Sequence, residues 1–497
     1  MKRNFFQTLC AMTVLLGIGS TLLSCGDHAA DPANTETAAD TQTAVGTEAV
    51  TEDATVQNLA SLSELDFGGA QFRISTLDRN SFEIFSEAEN GEVCNDAIFA
   101  RNRLVEETLN VKITPILTTT ESESDHHSQV NNITKSVQAG EDYCDIAALF
   151  VYRAGTPIIN GIFRSWDEIP HVDFSQPWWI TRANEAFRIA GKQYLAVGDL
   201  AVTNMLMTYG TFFNKRLVEN YDIPDLYQTV LDGKWTIDLL DTYAKTGYAD
   251  LNGNGAIDEN DQFGYTGESI INCDVMLASF EQKVIEMDAD GLPHVVINTP
   301  RTVSAVEKIY SLFWENEASW IVDTWMDELP IFASGRAMFI TTYLDNAFNQ
   351  FRDMEDAYGI LPFPKFDEAQ KDYLSDARDQ YSVLCIPVTA QNSELIGAAT
   401  EAMNIASNGI VYPAYYETAL KSKYVSDSES VVMIDLLMQG RNYDFSILHG
   451  AELNALPYIV RNLITGKKKD FASTYAKMES GVEKKLQALT EAYQNLP

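Results

Sequence analysis

Residues 250–264 read DLNGNGAIDENDQFG, in which oxygen-bearing side chains alternate with spacers. Asp250, Asn252 and Asn254 offer side-chain oxygens at the first, third and fifth places of a loop. Gly255 permits the sharp turn, Ala256 offers its carbonyl, and Asp258 stands at the ninth place. Hard oxygen donors at this spacing predict a calcium ion rather than zinc or iron. The twelfth place holds Asp261, a shorter side chain than the usual glutamate, and Glu259 competes with it as the last ligand. The loop occurs once, between a helical pattern and the strand-like FGYTG. A sensor would carry flanking helices and a second loop, so a structural staple is expected.

Other chemistry is thinly represented. The chain has no HExxH, GxSxG, CxxC or GxxxxGK, and His126-His127 sits in the polar stretch ESESDHHSQ. Acidic residues number 71 against 35 Lys and Arg, giving a net charge of −36. That field repels nucleic acid and suits a neutral or cationic ligand. With 71 carboxylates, spacing singles out no general acid–base pair.

The N-terminus addresses the chain. Lys2 and Arg3 precede the apolar run FFQTLCAMTVLLGIGSTLL, which ends at Leu22-Leu23-Ser24-Cys25. This describes a signal peptide over residues 1–24. The Leu-Leu-Ser-Cys sequence resembles a bacterial lipobox, which implies lipidation of Cys25 and a protein anchored on the outer side of the cell membrane. Residues 25–66 follow, and from Gly26 to Asp66 there is no aromatic residue, Lys or Arg. Such a stretch is expected to be a disordered tether. Cys94, Cys144, Cys273 and Cys385 remain in the body, where spacing selects no disulfide pairing.

The elements that must hold the calcium loop come in an α/β alternation. FGGAQFRISTL reads as a strand, the stretch from Asn95 as a helix, VKITPIL as a strand, VNNITKSVQAG as a helix and Asp145–Phe150 as a buried strand. These lengths imply crossovers onto a largely parallel sheet. The alternation restarts with LAVGDL and MTYGTFFN as strands, KRLVENY as a helix and a second helix from Trp235 capped by Thr236. Later come FASGRAMFITTYL, YGILPFP and QYSVLCIPV as strands, then the helix SELIGAATEAMNIAS. Met478, Val482, Leu486, Leu489 and Tyr493 line one face of a final helix.

In this order ITKSVQAGEDYCDIAAL, KWTIDLLDTYAKTGYADLNGNGAIDENDQFGYTG and FASGRAMFITTYL with YGILPFPKFDEAQ resemble extracellular solute-binding proteins, family 1, of bacterial ABC importers. The similarity runs from Phe67 to Pro497. It implies an α/β, two-lobed periplasmic-binding-protein-like fold (type II), with a ligand cleft between lobes joined by crossover hinge strands. One lobe would take 67–199 with 377–410, and the other 203–374 with 411–497. Hinges would fall near Asp199–Thr203 and Ala377–Ser382. The implied function is carbohydrate capture, with an oligosaccharide expected, and delivery to the transmembrane subunits of an ABC permease. The implied protein is a non-enzymatic monomer whose membrane contact is the lipid anchor alone. A secreted carbohydrate-active enzyme and a surface glycan-binding protein without a transporter are the alternatives.

Sugars stack their C–H faces on aromatic rings and hydrogen-bond their hydroxyls to Asp, Asn and Arg. Trp166, Trp178, Trp179, Tyr152, Tyr194, Tyr209 and Tyr343 lie near expected strand ends or lobe junctions, with Arg153, Asp199, Asn204, Asp345 and Arg378 as polar partners. Tyr152, Trp178, Asp199, Tyr343 and Asp345 are the expected ligand contacts.

Overall fold

The computed structural model describes residues 52–120, 123–324, 326–377, 379–417, 420 and 428–496. The expected signal peptide, Cys25, the tether up to residue 51 and Arg378 lie outside them.

The first lobe is built on a five-stranded sheet. Its strands are β1 (Ala70–Leu77), β2 (Val111–Thr118), β3 (Ile146–Phe150), β4 (Phe163–Arg164) and β13 (Ser382–Pro387), in the order β2-β1-β3-β13-β4. β1 runs parallel to β2 and β3, and β13 returns antiparallel to β3 with Ser382 opposite Phe150. The helices Val93–Leu109 and Ser128–Ala139 make the crossovers. The second of these ends at Gly140 in the left-handed region, φ 71°, where a Cβ would be strained.

The second lobe carries β5 (Tyr209–Asn214), β6 (Phe263–Glu268), β9 (Ser319–Val322), β10 (Ala337–Tyr343) and β11 (Tyr358–Leu361), ordered β11-β5-β10-β6-β9. β6 is parallel to both β9 and β10, so their C-terminal ends share one edge. β5, β6, β10 and β11 are buried along their whole lengths, so both faces of each strand are covered, while β9 at the edge is only half-buried. A hairpin of β7 (Ile285–Met287) and β8 (Pro293–Val295) stands beside this sheet order.

β12 (Ser375–Asp376) and β14 (Arg441–Asn442) pair in parallel. The chain therefore brings a late segment, 441–445, to the crossover at 375–382. The first lobe's helix Val151–Ile159 packs on the turn Phe445–His449, where Gly155 leaves room: a Cβ there would stand 2.1 Å from the Leu448 carbonyl oxygen.

Three expectations need correction. The stretch to Asp66 is not wholly a tether, because Glu52–Leu59 is helical and Leu59 and Leu62 are each 3% exposed in the first lobe's core. Leu59, Leu62 and Leu65 fall three apart, enough to give a polar segment one apolar edge. LAVGDL makes no strand; it touches the sheet through isolated bridges, Ala196 to Leu384 and Trp179 to Gly198. Finally, the helix from Asn95 begins earlier, at Val93, with Asp96 accepting from the Asn90 and Gly91 amides (2.8 and 3.1 Å). Cys94, Cys144, Cys273 and Cys385 are all free thiols. Among the described residues no helix is long and apolar enough to cross a membrane.

Candidate functional site

The C-terminal edges of open α/β sheets leave backbone groups and side chains free to meet a ligand. From the first lobe, β1 delivers Asp78 and Arg79, and β3 delivers Tyr152 and Arg153. The Tyr152 ring stacks on Phe150 (5.9 Å, 17°), its hydroxyl lies 3.2 Å from His126 Nδ1, and the Arg153 guanidinium covers it at 4.3 Å. Arg153 Nε is buried and has no hydrogen-bond partner. From the second lobe, β10 ends at Tyr343, whose ring lies 5.7 Å from Tyr209, and is followed by Asp345. Burial raises the Asp345 carboxyl, while its bond from Asn349 and the charge of Arg79 lower it. The charge of Arg79, at the end of β1, thus reaches Asp345 after β10.

The hinge side of this region holds a small cleft of about 60 Å³. It is walled by Asp274 of the helix Ile271–Ser279, by Asp376, Asp379 and Tyr381 of the crossover, and by Tyr443, Asp444, Tyr458 and Arg461 of the late segment. Asp274 pairs with Arg461, whose guanidinium lies over the Tyr458 ring at 4.4 Å. Burial lifts the Asp274 carboxyl to about 6 against the pull of Arg461. Burial also raises the Tyr458 hydroxyl to about 12, with contributions from Asp379, Asp274 and Tyr152. A shallower groove shares Lys283, Asn442 and Tyr443 with the cleft and extends past Arg182, Glu185 and Met287.

The structure therefore brings Tyr152, Tyr343 and Asp345 to the strand-end region, and places the other two expected contacts elsewhere. Trp178 is 6% exposed within the first lobe; its indole N–H donates to Glu401 (2.8 Å), beside that of Trp179 (2.9 Å). Sequence shows an aromatic pair but not the buried carboxylate that claims both rings. Asp199 accepts from Asn408 (2.8 Å), and burial lifts it to about 6 against the charge of Arg441. It belongs to the hinge. Asn204 lies there too, accepting from Arg441 (2.6 Å) and Tyr443 (2.9 Å). Asp376, Asp379 and Tyr381 were passed over, although they sit inside the expected crossover. Tyr443, Tyr458 and Arg461 carried no periodic signal.

The acidic loop closes on itself through Asx turns. Asp250 accepts from the Gly253 and Gly255 amides (2.7 and 2.9 Å), Asn252 from Asn254 N, and Asn254 from Ala256 N. Asp258 accepts from the Asn260 backbone N–H (2.9 Å) and from the side-chain amides of Asn254 and Asn252 (2.6 and 3.1 Å), which bring it down to about 2. Asp261 is fully buried, accepting from Tyr248, Leu251 N and Asp258 N. Glu259 is exposed, and its carbonyl accepts from Arg336. Asp258 thus gathers Asn252 and Asn254, the third- and fifth-place donors, around itself, and Asp261 stands behind. Among the described residues no group of three or more His, Cys, Asp or Glu is arranged to hold a metal ion. Oxygen ligation here needs the two asparagine amides, turned to present oxygen.

The architecture is the two-lobed fold of the periplasmic binding proteins. No family model matches the chain, and no curated protein matches it by sequence. Solved structures match it in shape. UgpB from Mycobacterium tuberculosis, in complex with glycerophosphocholine, superposes with a TM-score of 0.56 at 13% identity, covering 85% of this chain and 99% of that one. The ABC substrate-binding protein of Listeria monocytogenes in complex with cycloalternan gives 0.53 at 12%, over 84% and 99%. Maltose-bound MalE3 of T. maritima gives 0.51 at 14%, over 85% and 99%. At such identities the likeness is one of fold.

Proposed function

We propose that this chain is the substrate-binding component of an ABC importer, and that it captures a carbohydrate, an oligosaccharide by preference, between its lobes. The observation that carries the reading is the cleft itself: Asp376, Asp379 and Tyr381 of the crossover and Tyr443, Asp444 and Tyr458 of the later chain face Asp274 of the helix Ile271–Ser279 around one opening. A ligand that touches both lobes favours the closed arrangement, since it gains contacts there that the open one lacks. The groove continuing past Lys283 and Tyr443 provides length for more than one sugar ring. The bound carbohydrates of the Listeria and T. maritima neighbours support a sugar; the glycerophosphocholine of UgpB shows that the same fold accepts another polyol derivative.

In this proposal Cys25 is lipidated and holds the protein at the membrane, and the transmembrane permease subunits are its partners. Calcium, held by Asp250, Asn252, Asn254, the Ala256 carbonyl, Asp258 and either Glu259 or Asp261, staples the segment between the helix Ile237–Ala244 and β6. The protein carries out no reaction on its ligand. The test is calorimetry against a panel of soluble oligosaccharides, followed by chromatography of the recovered ligand. One-to-one binding of an unchanged glycan is expected; shortened glycan would replace this reading with a carbohydrate-active enzyme.

A further inference from the structure

The crossovers that lead into β5 and into β13 run side by side between the two sheets. At the second-lobe end Thr208 forms an antiparallel bridge with Ala377, and the Ser375 hydroxyl donates to the Tyr209 carbonyl. At the first-lobe end the Ser382 N–H donates to Thr203 Oγ1 (3.0 Å).

Glu83 closes this first-lobe end. It is fully buried at the end of the 3-10 turn Asp78–Glu83, which follows β1. One carboxylate oxygen accepts from the Thr203 N–H (3.0 Å) and the other from the Ser382 hydroxyl, which itself accepts from Asn80 Nδ2 (3.2 Å). Both bonds of the side chain therefore go to the crossovers. The backbone behind it is held by Arg101, fully buried on the helix Val93–Leu109, which donates to the carbonyls of Glu83 (2.9 Å) and Ile84 (2.7 Å).

A buried carboxylate carries a desolvation cost that an apolar side chain avoids. Burial pushes the Glu83 carboxyl above its usual range, and the bonds from Ser382 and Thr203 with the charge of Arg101 pull it back. What the carboxylate secures is position: two oxygens on one anchored side chain fix two crossovers against each other.

We propose that Glu83 is a positioning residue of the hinge, pinning both crossovers to the first lobe and so setting how far apart the lobes stand without ligand. The proposal goes beyond the solute-binding reading and is tested with no ligand, so either can fail alone.

The test is hydrogen–deuterium exchange of the full chain, read by mass spectrometry, with small-angle X-ray scattering on the same samples. In Glu83→Ala the peptides holding Thr203 and Ser382 are expected to exchange about tenfold faster, both together, as two buried bonds are lost. Peptides from β2 and β10 should keep the parent rate. The radius of gyration should rise, since a chain of net charge −36 favours the wider arrangement once released. Glu83→Gln keeps an oxygen for the Thr203 N–H and an amide that reaches Ser382 Oγ, so it should return both readouts most of the way to the parent. Ser382→Ala removes one arm alone and serves where Glu83→Ala does not fold; its Ser382-side peptide should exchange faster and its radius rise less. Parent-like exchange at both crossovers, faster exchange spread evenly over both lobes, or an unchanged radius in these folded variants overturns the proposal.

Discussion

Arg441 donates to the side-chain oxygen of Asn204 at 2.6 Å, joining two crossover segments that are 237 residues apart in sequence. The same oxygen accepts from Tyr443 (2.9 Å), so one amide holds the late segment against the hinge beside β5. The cleft's Tyr443 and Asp444 are placed by this contact.

Asn204→Ala leaves the half-buried Arg441 and the buried Tyr443 donors without this acceptor. A loss of about 2 kcal/mol is expected in urea unfolding, in line with the cost of unpaired buried groups. Ligand affinity should fall as well, because the cleft wall loosens. Unchanged stability would show that Asn204 is not the anchor.

Glu401 predicts a pH effect in the first lobe. Burial raises its carboxyl to about 7, against the lowering bonds from Trp178 and Trp179. A carboxyl whose folded value is raised binds protons more strongly than in the unfolded chain. Its contribution is therefore complete below about pH 4.5, the ordinary glutamate range, and is lost as pH rises toward 7. Glu401→Gln should flatten the fall of stability across that window when melting is followed by pH. Trp178→Ala should destabilise by about 3 kcal/mol or more through the void it leaves, while the molecules that remain folded bind glycan as the parent does.

Tyr152 stands at the β3 edge, stacked on Phe150 and covered by Arg153. Removing its ring should weaken glycan binding by about tenfold, the scale of a stacking contact, with little change in melting, since it is only half-buried. Parent-like affinity of Tyr152→Ala in calorimetry would remove it from the site.

Calcium removal should lower the melting temperature, with a smaller effect on sugar affinity, because the loop's contacts run to Tyr248 and Arg336 rather than to the cleft. Identical melting curves with and without chelator would show that the loop holds by its Asx turns alone.

The α/β alternation was legible because its strands are buried on both faces and its helices carry apolar stripes. Ala70–Leu77, Ser382–Pro387 and Phe471–Gln494 lie where their patterns put them. Of the expected contacts, only the strand-end positions of Tyr152, Tyr343 and Asp345 were legible, because they follow directly from the register. Tyr458 ends a three-residue 3-10 turn, Arg461 lies in the short helix Ile459–Thr465 and Asp444 caps the turn Phe445–His449; these elements are too short to show a period, and only tertiary packing brings them to residue 376. Trp178 misled for the opposite reason: an aromatic beside a polar loop looks like a sugar platform until its carboxylate partner, distant in sequence, is in view.

The central claim is that two lobes close on a soluble glycan. Small-angle X-ray scattering of the purified protein, with and without a saturating oligosaccharide found by calorimetry, tests it most directly. A smaller radius of gyration is expected with ligand, reversed when the ligand is dialysed away. A radius that stays the same at saturation would contradict it.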